Sequence, residues 1–187
     1  MIELLTPRLY IRLLREGDAH LLAHFEASNK EASKKYTATS TGDICSESYW
    51  QEKWKEQMVE MNTGRAMRFL LFQTGEREGP MRGYCNFTQI FRGSFQACYL
   101  GYKIDQELEG RGFMKEALEC LIAYMFREQH LHRIMANFIP GNTRSEKLLN
   151  TLGFEKEGYA KKYLLINGEW QDHILTSLTN AHWKSSS

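Results

Sequence analysis

Residues 97–129 read ACYLGYKIDQELEGRGFMKEALECLIAYMFREQ, and their pattern changes character twice. Residues 98–104 have the aromatic and β-branched content of a strand, with Gly101 inside it. A glycine within a strand predicts a bulge or a close approach of another backbone. The polar turn Asp105-Gln106-Glu107-Leu108 follows, and then Glu109-Gly110-Arg111-Gly112-Phe113-Met114. From there Met114, Leu118, Leu121, Ile122 and Met125 recur at helical spacing, while Lys115, Glu116, Glu119 and Glu128 fall on other faces. A strand thus feeds a glycine turn, and the turn opens a helix. Two glycines leave successive N–H groups unobstructed and a helix start adds unpaired donors, a combination that attracts phosphate. Two better-known phosphate loops are excluded: there is no G-x-x-x-x-G-K-[ST], and no third glycine of a dinucleotide fingerprint. The plainer reading is that Gly110 and Gly112 merely turn the chain.

Upstream, residues 6–14 read as a first strand in which Arg8, Tyr10 and Arg12 alternate with Leu9, Ile11 and Leu13. Gly17-Asp18 starts a helix with Leu21, Leu22 and Phe25 on its apolar side. Residues 29–43 are polar, a length and composition typical of a functional loop. Ser46-Glu47-Ser48 caps a second helix whose Trp50 and Trp54 suit either the core or the wall of a substrate groove. Residues 68–72, 81–91 and the central strand then form a three-strand meander.

Downstream, residues 133–139 read as a short strand ended by Pro140-Gly141. Asn142-Thr143-Arg144-Ser145 caps a helix bearing Leu148, Leu149 and Leu152, which Gly153 stops. Residues 159–166 and 170–178 are joined by Asn167-Gly168, a strong hairpin signal.

A chain of 187 residues is long enough for one domain, spanning 1–187, with a sizeable core. Hydrophobic residues at 42% and a net charge of +1 fit a globular protein and argue against bulk electrostatic binding of nucleic acid. No apolar run approaches a membrane span, and Met1-Ile2-Glu3 does not open a signal peptide. Cys45, Cys85, Cys98 and Cys120 lie far apart without CxxC spacing, which suits free thiols in a reduced, cytoplasmic setting. His20 and His24 share a helix face but have no Cys or carboxylate partner, so no metal site is expected.

The glycine turn resembles the pyrophosphate loop of the GNAT acetyltransferases, Q/R-x-x-G-x-G/A, with Glu109 at its first position and Met114 at its last. Thr6-Pro7-Arg8-Leu9-Tyr10-Ile11-Arg12 resembles the opening of the ribosomal-protein N-acetyltransferases of that family. Longer strings, GSFQACYLGY, HRIMAN and GFEKEGYAK, are similar to the subgroup that acetylates the N-terminal alanine of the fifth protein of the small ribosomal subunit. The resemblance implies an α+β fold with a single mixed, mainly antiparallel sheet of about seven strands. It implies helices on both faces and a splay between the fourth and fifth strands, widened by a bulge at Gly101. It further implies acetyl-CoA as co-substrate, a ribosomal protein N-terminus as acceptor, and the small subunit during assembly as a further partner.

By the same resemblance, the backbone of Glu109, Gly110, Arg111, Gly112, Phe113, Met114 and Lys115 holds the coenzyme A pyrophosphate. Tyr102 and Ile104 pair with the pantetheine amides. Asn142 and Ser145 match an N-x-x-S pattern in which Asn142 binds the pantetheine arm and Ser145, the catalytic residue, donates a hydrogen bond to the departing thiolate. Read without the resemblance, the same pair is a plain helix cap. Three positions depart from the family. Tyr99 and Asn137 stand where related enzymes place Glu, and Leu149 stands where many place the thiolate-protonating Tyr. No base is thereby assigned.

Chemistry makes that absence tolerable. An α-amine with pKa near 7.7–8.0 is roughly 10–20% neutral at pH 7, against about 0.04% for a lysine amine. A free N-terminus can attack a thioester with only water to take its proton. Two other readings stay open at this level: an acetyl-CoA-binding ribosome-assembly or regulatory protein with little catalysis, and an acetyltransferase of small amines.

Overall fold

The computed structural model describes residues 2–36 and 39–184. Eight strands form one sheet: β1 (Glu3–Leu5), β2 (Leu9–Leu13), β3 (Met67–Gln73), β4 (Gly83–Phe91), β5 (Ala97–Ile104), β6 (Arg133–Met135), β7 (Glu155–Ile166) and β8 (Glu169–Thr179). Their order is β1-β2-β3-β4-β5-β6-β8-β7. Among the described strands only β5 and β6 pair in parallel. The strand beyond the expected seven is β1, too short to show a pattern, which pairs antiparallel with β2 from Glu3↔Arg12 to Leu5↔Tyr10.

The expected splay is present. β5 and β6 are in register only at Ala97↔Arg133, Cys98↔Ile134 and Tyr99↔Met135. Beyond Tyr99 the strands part, so β6 ends at Met135 rather than continuing to residue 139, and Phe138 makes only an isolated bridge to Ile174. The bulge is elsewhere than expected. Gly101 pairs regularly with Asn86, and the register shift lies between Thr88 and Phe91 of β4, where Gln89 takes a left-handed φ of 49°. An added Cβ at Gly101 would meet nothing within 4 Å, so no close backbone approach explains that glycine either.

Helices cover both faces. On one face lie α4 (Phe113–Arg127) and α5 (Thr143–Thr151), and the alternate residues Cys98, Leu100, Tyr102 and Ile104 of β5 pack toward them. Leu118, Leu121 and Met125 are wholly inaccessible there, and each such burial stabilises by roughly 1.5–3 kcal/mol. On the other face, α1 (Ala19–Ser28) and α3 (Glu47–Asn62) cover Tyr10, Leu70 and Phe72. Trp50 and Trp54 pack against this second cluster, and Trp50 Nε1 donates to the Ile44 carbonyl at 2.8 Å, so they serve the core. Ser46 caps α3 through its hydroxyl, which accepts from the Tyr49 N–H at 3.2 Å.

The polar stretch 29–43 is less loop-like than its composition suggests. It begins with α2 (Lys30–Ser33) and a 3-10 turn (Lys34–Tyr36), while Thr37 and Ala38 lie outside the described residues, as do Met1 and the serine tail 185–187. The stretch is tied to the β7–β8 hairpin: Thr39 N–H donates to the Leu165 carbonyl at 3.0 Å, and Asn167 Nδ2 donates to the Lys34 carbonyl at 2.5 Å. The hairpin turn itself has positive φ at both Asn167 (50°) and Gly168 (79°), which the Asn-Gly pair permits.

Candidate active site

The predicted phosphate loop follows β5 directly. Asp105 Oδ1 accepts from the Glu107 N–H at 3.0 Å and closes a 3-10 turn (Gln106–Leu108). Gly110 then takes φ 69° and Gly112, the N-cap of α4, takes φ 80°. Left-handed backbone at both positions accounts for both glycines. The first-turn N–H groups of Phe113, Met114 and Lys115 have no acceptor inside the helix. Among the described residues no backbone acceptor meets the N–H of Gly110 or Gly112 either. Five donors thus gather at a helix start, the arrangement that suits an anion.

The side chains of this loop do other work. Phe113 and Met114 are buried in the core, so they offer the site only their backbone. Glu109 pairs with Arg144 at the start of α5, and Lys115 pairs with Glu119 at 2.5 Å. Arg111 and Arg8 both lie over the Phe113 ring, 5.5 and 4.2 Å from its centroid. Arg8 Nη1 also donates to the Arg111 carbonyl at 3.0 Å.

One brace of the loop escaped the sequence reading. Glu116, in the first turn of α4, accepts from the Thr6 hydroxyl at 2.6 Å, the Arg8 N–H at 2.9 Å and Arg8 Nε at 2.6 Å. Burial disfavours its charge, but these donors outweigh burial, and the carboxyl pKa falls below its usual value. The signal was at hand in the spacing of Thr6 and Arg8. What the sequence lacked was their partner 110 and 108 residues away.

At the opening between β5 and β6, the edge of β5 beyond Tyr99 faces no strand. Tyr102 and Ile104 lie on that edge, positioned for an extended ligand to lie alongside. Asn142 caps α5: its Oδ1 accepts from the Ser145 N–H at 3.2 Å, as the plain capping reading requires. The Ser145 hydroxyl adjoins the Tyr102 phenol, which is buried and has no partner of good hydrogen-bond geometry. Burial pushes that phenol up to about 12, the Ser145 contact pulling the other way. A buried hydroxyl without a partner at the mouth of an open strand edge fits a polar ligand there, such as a pantetheine thioester. The resemblance assigns a role to the Tyr102 backbone alone, and the phenol is a further polar group at the same place.

On the opposite face of the opening, two positions that depart from the family come together. Asn137 Nδ2 donates to Tyr163 Oη at 3.1 Å, and Tyr99 adjoins the same phenol. Among the described residues no group of three His, Cys, Asp or Glu could hold a metal, and no helix is long and apolar enough to cross a membrane.

An open mixed sheet, parted beside a glycine-turned helix start with free N–H donors, is the framework of an acetyltransferase. Residues 8–155 match the acetyltransferase (GNAT) domain, and the chain belongs to that family. It is 47% identical over 182 residues to the [ribosomal protein uS5]-alanine N-acetyltransferase of Escherichia coli, covering 97% of this chain and 93% of that one. The crystal structure of the ribosomal-protein-S5-alanine acetyltransferase from Vibrio fischeri superposes with a TM-score of 0.91 at 34% identity, over 99% of this chain and 100% of that one. Mycobacterium smegmatis RimJ, solved in complex with CoA-disulfide, shares the fold at 24% identity and a TM-score of 0.85, over 95% of this chain and 85% of that one.

Proposed function

We propose that this acetyltransferase moves the acetyl group of acetyl-CoA to the N-terminal α-amine of ribosomal protein uS5, whose first residue is alanine. The observation that carries the reading is the near full-length identity to the Escherichia coli enzyme, joined to a site with the right donors. A ribosomal-protein acceptor supports a cytoplasmic setting for the activity.

The donors at Gly110, Gly112, Phe113, Met114 and Lys115 hold the pyrophosphate, and the free edge of β5 at Tyr102 and Ile104 meets the pantetheine amides. Glu109 and Arg111 shape this loop from either side, and Asn142 presents the start of α5. The neutral amine attacks the thioester carbon as the C–S bond breaks and the electron pair goes to sulfur. The amine loses one proton to water and sulfur gains one, so protons balance. Ser145 donates to sulfur as charge grows there, an interaction strongest in the transition state.

Transfer is direct. Burial pushes the Cys98 thiol up to about 12 and the Cys85 thiol higher still, and Cys120 and Cys45 are also raised, so none of the four supplies a thiolate at neutral pH. Replacing all four cysteines with Ala is therefore expected to leave turnover within a few-fold in the folded protein. The deciding experiment incubates the protein with acetyl-CoA and peptides beginning Ala, Ser or Met, and follows a gain of one acetyl group by mass spectrometry. Modification of the Ala peptide is expected. No modification of any peptide, with acetyl-CoA bound, would favour an assembly or regulatory role.

A further inference from the structure

Strand alternation sends Tyr99 of β5 and Asn137, two residues past β6, to the face of the sheet away from α4. Both stand where β5 and β6 part. Tyr163 reaches the same point from β7 because that strand is irregular there. Its register shifts between Ala160 and Leu164, and Lys162 is left-handed with φ 48°. Such a bulge re-aims a side chain. His173 of β8 packs against the Tyr163 ring at 5.3 Å between centroids.

The hydrogen bonds fix the polarity of the cluster. The Thr176 backbone N–H, which can only donate, points at Asn137 Oδ1 at 3.2 Å. The Asn137 amide therefore presents Nδ2 to Tyr163 Oη, filling one lone pair of that oxygen. His173 Nδ1 faces the Gln171 carbonyl at 3.1 Å, which requires the proton on Nδ1. Three ionised groups on the surrounding strands are held by other partners. Lys103 is paired with Glu26, Arg133 with Glu157, and Asp172 with the Tyr159 hydroxyl and the Lys162 N–H. Burial first, and the Tyr99 hydroxyl next, raise the Tyr163 pKa, so the phenol stays neutral.

Resting on the acetyl-transfer reading above, we infer that Tyr163 and Tyr99 form the acceptor subsite, two hydroxyl oxygens that take the two N–H groups of an uncharged α-amine and leave its lone pair aimed into the opening between β5 and β6. Asn137 is the positioning residue that holds Tyr163 in place. A half-buried subsite with no free carboxylate against it among the described residues penalises an ammonium, which must shed water without a counter-charge. It therefore discriminates against lysine side chains, whose neutral fraction is small. The positions where relatives place Glu thus become a selectivity device.

The test compares wild type, Tyr163→Phe, Tyr99→Phe and Asn137→Asp. Each is checked for folding by circular dichroism and for acetyl-CoA binding by calorimetry. Steady-state rates are then measured on an Ala-initiated peptide and on an N-terminally blocked peptide with one lysine. The expected result for each Phe variant is at least a tenfold rise in peptide KM with acetyl-CoA affinity within twofold of wild type. Asn137→Asp keeps an acceptor for the Thr176 N–H but brings a carboxylate, and is expected to narrow the preference for α-amine over lysine at least tenfold. An unchanged peptide KM in the folded Phe variants, or an unchanged preference in Asn137→Asp, overturns the inference. Failure of wild type to acetylate the Ala peptide would instead overturn the acetyl-transfer reading on which it rests.

Discussion

Arg8 and Glu116, 108 residues apart, are joined twice, by the Arg8 backbone N–H at 2.9 Å and by its Nε at 2.6 Å. The same guanidinium bonds the Arg111 carbonyl in the glycine turn, so the first loop of the chain braces the phosphate-binding loop. Glu116→Gln removes the charge from the three bonds that Glu116 accepts from Thr6 and Arg8, and a loss of roughly 1–3 kcal/mol of stability is expected. The sign with pH follows from the lowered carboxyl pKa. Its stabilisation is present above the ordinary carboxylate range and is lost as pH falls through the folded-state value. Urea unfolding midpoints from pH 7 to pH 3 should show a shallower acid limb for Glu116→Gln. Parallel acid limbs in the two proteins would mean that the carboxylate contributes nothing by its charge.

Gly112 separates conformation from charge. An added Cβ meets only Arg8 Nη2 at 3.5 Å, so space is not the constraint; the φ of 80° is. Asn and Asp both tolerate this backbone and have nearly the same shape. In Gly112→Asp the carboxylate sits at a helix N-terminus beside Arg8, which favours the unliganded fold. That same charge opposes two phosphates. Gly112→Asp should therefore melt at or above Gly112→Asn, yet bind acetyl-CoA at least tenfold more weakly by calorimetry. Equal affinities in the two variants would show that the pyrophosphate lies elsewhere.

The sequence made the local devices legible and left the distant pairings dark. Gly110, Gly112 and Asn167-Gly168 announce left-handed backbone by residue type, and the apolar spacing of Met114, Leu118 and Met125 announces the buried side of α4. Gly101 misled, because the β4–β5 irregularity occurs at Gln89, a residue with no compositional reason to take positive φ. β1 has three residues and no room for a pattern; pairing with β2 alone defines it. Residues 136–139 look like strand but lose β5 as a neighbour and keep only the Ala136 and Phe138 backbone hydrogen bonds to β8. The Asn137–Tyr163 contact spans 26 residues and depends on a bulge in β7, so no local signal could reveal it.

Lys103 and Glu26 join the central strand to α1 through an ion pair whose side chains are only 12% and 2% exposed. Tyr84 Oη adds a hydrogen bond to Glu26 at 3.2 Å. Removing one member leaves the other charge buried without compensation. Lys103→Met should cost about 3–5 kcal/mol, whereas Lys103→Met combined with Glu26→Leu should recover most of that loss. A double-mutant cycle in urea measures the coupling. If the double variant is no more stable than Lys103→Met, the helix is held by the Phe25 and Leu22 contacts and the pair is incidental.

Tyr102 sets stability against turnover. Its hydroxyl is buried without a well-formed hydrogen bond, and leaving such a group unsatisfied costs the unliganded fold about 1–3 kcal/mol. Tyr102→Phe keeps the ring and deletes only that oxygen, so the unliganded variant should melt at the same temperature as the parent or higher. The hydroxyl lies beside Ser145, where charge grows on the departing sulfur in the proposed transfer, and it stays protonated because burial pushes its pKa to about 12. It is therefore a second donor for that charge, and its removal should lower kcat by tenfold or more with little change in peptide KM. Ser145→Ala lowers kcat through the same interaction, so the two losses should be less than additive when combined. Thermal melts of the unliganded proteins and steady-state kinetics of the two single variants and the double variant carry the test. A Tyr102→Phe protein that loses stability but turns over like the parent would mean that the hydroxyl is part of the packing and not of the chemistry.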